Sequence, residues 1–187
     1  ARLVIQTRLD EMLAFAPWGD DPANVEEIHN LRIAAKRLRY SLELFRFALP
    51  SGANGLINEV KEIQEHVGDL HDADVMIERV LEVIATDAQR RAARLLDIAS
   101  SIDRGTTSQR HQRLRSAASA PSTLRDEVSF FTLIAHRADD RDQAYGEFII
   151  AWRRLLDTDF PGRLNALLDE AVAKASAPPE SADQAAE

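Results

Sequence analysis

Apolar residues recur at intervals of three and four almost from the first residue, and nowhere do apolar and polar positions alternate strictly. That period belongs to helices with one buried stripe, so the pattern predicts an all-α fold. Ala, Leu, Arg and Glu fill much of the chain, while only 7 Gly and 7 Pro punctuate its 187 residues. A first helix is predicted over Ala1 to Phe15, ended by PWGDDPAN. A second, capped at or beside Asn24 and with Glu26 and Glu27 at the positive end of its dipole, runs to Leu49 and stops at PSGANG. A third spans Leu56 to Ala85, with Gly68 inside it as a close-packing point or a bend, and a fourth spans Asp87 to Ile102. Beyond the loop DRGTTS come a helical piece over Gln109 to Ala118 and a helix over Leu124 to Ala138. The last helix runs from Arg141 past Trp152, breaks near Pro161 to Arg163 and finishes near Lys174. Tyr145, Phe148, Trp152 and Leu155 on it are spaced as a core face. The expectation is an antiparallel bundle of about six helices in one domain over residues 1–174. Residues 175–187, ASAPPESADQAAE, have too little apolar content to order and read as a disordered tail.

The second helix carries the most unusual pattern. At about 100° per residue, Leu31, Leu38, Leu42, Phe45 and Leu49 share one face, an ordinary core stripe. His29, Arg32, Lys36, Arg39 and Arg46 fall beside it within an arc of roughly 100°, interrupted by Glu43. Ile33, Tyr40, Leu44 and Phe47 follow on the far side of the arc. A cationic strip between two apolar flanks predicts a helix packed on both sides, forming the wall of a groove.

Charge sharpens this picture. The chain is acidic, with a formal net charge of −8, yet Ile28 to Leu49 holds five Lys and Arg against one Glu. Like charges three and four apart repel by a few tenths of a kcal/mol per pair, about 0.2–0.5. Two readings offset that cost: carboxylates on neighbouring helices neutralise the strip, or a polyanion binds along it. The absence of cysteine excludes disulfides and thiolate metal sites and fits a reducing cytoplasm. No apolar run approaches the ~20 residues of a membrane span, and the N-terminus lacks the layout of a signal peptide. The chain therefore reads as soluble and cytoplasmic, and its opening at Ala1 without an initiator methionine reads as a processed or excised piece.

VEEIHNLRIAAKRLRYSLELF, followed by EVKEIQEHVGDLHDADVMIERV, resembles the CHAD family, the conserved histidine α-helical domain. The resemblance lies in a histidine, then LR, a small-residue turn and a K/R-R-L-R cluster, and then a helix with G-D-L-x-D-x-D-V. It is specific over Val25 to Leu81 and loose afterwards, where RDQAYGEFIIAWRRLL is similar to the family's closing helix. It implies an all-helical domain that binds inorganic polyphosphate in a basic cavity, often in association with polyphosphate granules. By position it makes His29, Arg32, Lys36, Arg37 and Arg39 the anion-binding candidates, with Lys61 and His71 on the second motif as further ones; Arg46 joins them from the helical arc. Family members commonly carry two such bundles, and this chain has one clear copy of the motif, resembling one half of the domain. Either a homodimer pairs two half-domains, or a partner half lies before Ala1. His71 stands where many members carry arginine, which would weaken contact with phosphate at pH 7.

The competing functions are a metal-dependent hydrolase of polyphosphate or nucleotide phosphates and a nucleic-acid-binding adaptor. For the hydrolase, Asp69, Asp72 and Asp74 are the suspects, but there is no G-x-x-x-x-G-K phosphate cradle and no nucleophile with an adjacent base. His66, Asp69, Glu62 and Glu65 have spacings that can assemble a metal site, though such spacings are common by chance on acidic helices. Asp72 and Asp74 are expected to satisfy basic groups of the second or fourth helix instead. His111 and His136 carry no signal. Against nucleic acid, aromatics are 6% of the chain, leaving few stacking platforms, and the overall acidity opposes a long duplex. A non-catalytic polyphosphate-binding protein, without cofactor or metal, is the expectation.

Overall fold

The computed structural model describes residues 1–19, 21–100, 106–119 and 127–176. It has six α-helices among those residues: α1 (Arg2–Leu13), α2 (Val25–Leu44), α3 (Ala53–Ser100), α4 (Thr107–Ala118), α5 (Glu127–Asp157) and α6 (Phe160–Ser176). Two 3-10 turns, Ala16–Trp18 and Arg46–Ala48, follow α1 and α2. The fold is all-α, as the apolar spacing predicts.

The largest departures from the sequence expectation are at three boundaries. The third and fourth helices are one helix, α3, because Asp87, a start signal in the sequence, lies inside a continuous seam and is 5% exposed. Leu70, Ala73, Ile77, Val80, Ile84 and Asp87 are all buried or half-buried, at alternating steps of three and four, so the seam passes through the expected break. Gly68 leaves that helix uninterrupted. The helices expected on either side of Asp139 and Asp140 likewise merge into α5, with Arg137 pairing to Asp140 across one turn at 3.2 Å. The second helix ends at Leu44 rather than Leu49, and the chain tightens into the 3-10 turn that carries Arg46. Asn24 occupies the N-cap position of α2, but its side-chain amide donates to the Trp18 carbonyl at 3.2 Å instead of capping the helix.

The chain divides into two compact units, residues 1–70 with 143–187 and residues 71–142. In the first unit, Arg2 pairs with Asp169 and Gln6 with Asn165, so α1 and α6 run in opposite directions. Glu62 pairs with Arg154 and His66 with Glu147, the same antiparallel register between α3 and α5. Arg32 lies against Gly68 and Arg39 bonds to Gln64, which sets α2 antiparallel to α3. The core between them includes Ile5, Met12, Leu31, Leu38, Leu42, Ile63, Phe148, Trp152 and Leu164. Tyr145, Phe148, Trp152 and Leu155 form the expected core face, with the Tyr145 hydroxyl donating to the Gly19 carbonyl at 2.9 Å. Gly19 packs closely there: a Cβ on it would sit 3.2 Å from Trp152 Nε1, so a larger residue would have to displace the indole by a few tenths of an ångström.

Thr158 and Asp159 separate α5 from α6, two residues before the expected break. Asp159 adopts φ 49° and its carboxylate accepts the Gly162 N–H at 3.1 Å, capping α6, while Pro161 occupies the first turn, where no intrahelical donor is lost. Asp159→Ala should cost about 1 kcal/mol or more in a urea melt, since it removes the cap and leaves left-handed backbone without a polar side chain to support it.

In the second unit, Ala73 and Val80 of α3 are buried and Asp74 accepts from Arg141 Nε at 2.6 Å. Thr106 and Gln109 make a reciprocal capping box that starts α4 two residues earlier than expected. Of the expected tail, Ala175 and Ser176 end α6 and residues 177–187 lie outside the described residues.

Candidate functional site

The cationic row depends first on how α2 is held. Leu31, Leu38 and Leu42 are buried at 1% exposure or less, fixing the rotation of the helix. That rotation leaves the row of His29, Arg32, Lys36 and Arg39 at the edge of the α2 and α3 contact, over a rise of about 15 Å. His29 is half-buried in the second turn. Arg32 is half-buried, lying across Gly68 with its Nε 3.7 Å from where a Cβ would be. A Cβ at residue 68 would meet the guanidinium at ordinary van der Waals distance, so Arg32 lies directly on the surface of α3. Arg32 Nε is buried without a hydrogen-bond partner among the described residues. Such a donor costs about 1–3 kcal/mol until something satisfies it.

Lys36 is exposed, and its ammonium lies 5.7 Å from the centre of the Tyr40 ring. The Arg39 guanidinium stacks on the same ring at 4.5 Å. Arg39 is the most constrained cation of the row: Nε donates to Gln64 Oε1 at 2.8 Å and Nη1 to Glu43 Oε1 at 2.6 Å. The neutral Gln64 amide orients Arg39 without cancelling its charge, whereas Glu43 does offset it.

These contacts decide how the row is balanced. Neutralisation from neighbouring helices would require carboxylates of α3, α5 or α6 beside the cations. Among the described residues, Arg32, Lys36 and Arg46 make no ion pair, and the carboxylate that meets Arg39 comes from its own helix. The repulsion along α2 is thus largely left standing.

Beyond Arg39 the row opens into a cleft of about 680 Å³, lined by Arg39, Glu43, Arg46, Asn54, Asn58 and Lys61, with Ile57 among them. Asn54, Asn58 and Lys61 are spaced by four and three along α3 and so present one face. Arg46 reaches this cleft from the 3-10 turn and not, as the helical wheel implies, from α2 itself. Lys61 is exposed and pairs with Glu65 at 3.3 Å.

One predicted residue stands apart from the row. Arg37 is exposed and, one residue on from Lys36, points about 100° away around the helix, off the row. His71 is half-buried on α3 and is the first residue of the second unit. Gln64, Asn54 and Asn58 escape the sequence reading: a neutral amide carries no signal of its own, and only their helical spacing opposite the basic row could mark them.

The outer apolar flank also differs from expectation. Ile33 is half-buried, but Tyr40, Leu44 and Phe47 are 49%, 68% and 87% exposed, so the flank is open over its C-terminal part and the row forms a ledge there. A helical wheel reports which side chains share a direction and says nothing of what covers them. The carboxylates of the second motif are arranged as follows: Asp69 and Asp72 are exposed, and Asp74 bonds to Arg141 of α5 rather than to α2. His66 lies 4.0 Å from Glu62 and 3.3 Å from Glu147, and no group of three metal-ligating side chains forms among the described residues.

No described helix is long and apolar enough to cross a membrane. No curated protein and no solved structure matches the chain. Residues 4–81, which contain most of α1, all of α2 with its cationic row, and α3 as far as Leu81, match the family model of the CHAD domain.

Proposed function

We propose that this protein binds inorganic polyphosphate, without altering it chemically, along the ledge formed by His29, Arg32, Lys36 and Arg39 and continued by Arg46 and Lys61. The observation that carries this reading is Arg32: a guanidinium lying against α3 at Gly68, with a buried Nε that no group among the described residues satisfies. A row of cations suits an anion whose charges repeat along a line, and guanidinium groups hold phosphate oxygens through paired N–H donors. The CHAD domain is associated with polyphosphate- and triphosphate-related proteins, which supports the same ligand. The groups along the ledge and its continuation are mainly cations and amides, with the one carboxylate of the lining, Glu43, bonded to Arg39, while Asp74 of the second motif is bonded to Arg141. The acidic body favours a thin anion over a duplex, whose outlying phosphates it would repel.

The test is titration with long-chain polyphosphate at two salt concentrations, with single-stranded RNA and tripolyphosphate as competitors. Polyphosphate should bind in a salt-sensitive manner and resist displacement by RNA. Equal displacement by RNA would favour a nucleic-acid adaptor, and release of inorganic phosphate in the presence of magnesium would favour a hydrolase.

A further inference from the structure

The cleft at the end of the ledge contains a group that a site for fully ionised phosphate does not call for. Glu43 lines it together with three cations, and its carboxylate is bonded to Arg39 at 2.6 Å. An interior phosphate of a polyphosphate chain has no proton to give, so a carboxylate beside it is purely repulsive. A terminal phosphate differs. Its second ionisation falls near neutral pH, at roughly 6 for a phosphate monoester, so its P–OH can donate to a carboxylate while its other oxygens accept from cations. Asn54 and Asn58 extend the same logic, because each amide both donates and accepts.

We infer that the cleft of Arg39, Glu43, Arg46, Asn54, Asn58 and Lys61 is a chain-end site, which takes the terminal phosphate while the ledge takes interior ones. This deepens the polyphosphate reading and rests on it. Arg46, which makes no ion pair among the described residues, meets the incoming charge, and Lys61, held by Glu65, closes the α3 side. Glu43 sets the specificity by making an unprotonated, interior phosphate unwelcome. The titratable groups lining the cleft are Glu43 and Arg39 from α2, Arg46 from the 3-10 turn and Lys61 from α3.

Linear tripolyphosphate and cyclic trimetaphosphate separate the two kinds of phosphate, since both have three phosphorus atoms and the ring has no ends. Their affinities are compared by calorimetry on the full chain at pH 6, for the wild type, Glu43→Gln and Glu65→Gln. Linear tripolyphosphate should bind the wild type at least tenfold tighter than the ring. Glu43→Gln should shrink that ratio at least threefold, chiefly by improving binding of the ring. Glu65→Gln removes the same charge from a carboxylate outside the lining and should move the ratio by less than Glu43→Gln does. A ratio indifferent to Glu43→Gln, or moved as much by Glu65→Gln, overturns the chain-end assignment and leaves the ledge reading intact if long-chain polyphosphate still binds. Absence of long-chain binding to the wild type overturns the ledge reading; a Glu43-dependent ratio would then stand as evidence for the cleft alone.

Discussion

Arg32→Met should weaken binding of long-chain polyphosphate by about tenfold to a hundredfold, while leaving the folded protein as stable as the wild type or more so. The weaker binding follows from removing one charge-assisted hydrogen bond, worth about 1.5–3 kcal/mol where the donor is ionised. The salt dependence should flatten at the same time, because one fewer phosphate is neutralised and fewer counterions are released. Stability should move the other way. Methionine keeps an unbranched apolar stem, and the substitution deletes a buried Nε that has no partner among the described residues. Relief of that unsatisfied donor, about 1–3 kcal/mol when complete, outweighs any loosening of the packing against Gly68. Titration together with a urea melt checks both halves. A destabilised variant would show that Arg32 is held by internal charge pairing, and a stable variant with unchanged affinity would remove the ledge as the binding site.

Phe148→Ala should destabilise the protein by about 3–5 kcal/mol, lowering the urea midpoint by roughly 2 M. Phe148 is 0% exposed, and its ring lies 6.1 Å from both Trp152 and Tyr145, stacked on the former and tilted to the latter. Truncation opens a cavity in the middle of that file, next to the Gly19 approach, where close packing leaves little freedom to collapse. Against a typical total of about 5–15 kcal/mol, this is a large share of what holds the first unit together. Phe47→Ala is the matched comparison. The same ring is removed, but from a site 87% exposed, and stability should change by no more than about 0.5 kcal/mol. Equal effects from the two substitutions, read by far-ultraviolet circular dichroism, would contradict the placement of α5 and of the turn after α2.

The contrast between those two phenylalanines shows what the sequence discloses and what it withholds. Leu31, Leu38 and Leu42 are legible as core, and Arg32, Lys36 and Arg39 as a row, because both depend only on the angular period of one helix. Phe47 reads as packed because an apolar residue on a helical wheel suggests a partner, yet the chain leaves the helix before reaching it. Asp87 reads as the start of a new helix because aspartate favours caps, whereas the three-and-four seam of α3 carries through it. The cationic row is thus legible and its surroundings are not. Gln64, Asn54, Asn58 and the role of Gly68 depend on α3 lying antiparallel against α2, a relation between segments that no local pattern records.

The segregation of charge has a consequence for crowding. A row in which Arg39, among the described residues, is ion-paired from its own helix, within a chain of net −8, gives each molecule a cationic strip on a body of net negative charge. Molecules seated side by side on one long polyphosphate would therefore push each other apart over the Debye length, about 30 Å at 0.01 M salt and 8 Å at 0.15 M. Lowering the salt would tighten each attachment and widen the gaps, so that the coat on the polymer becomes sparser as its individual members hold on harder.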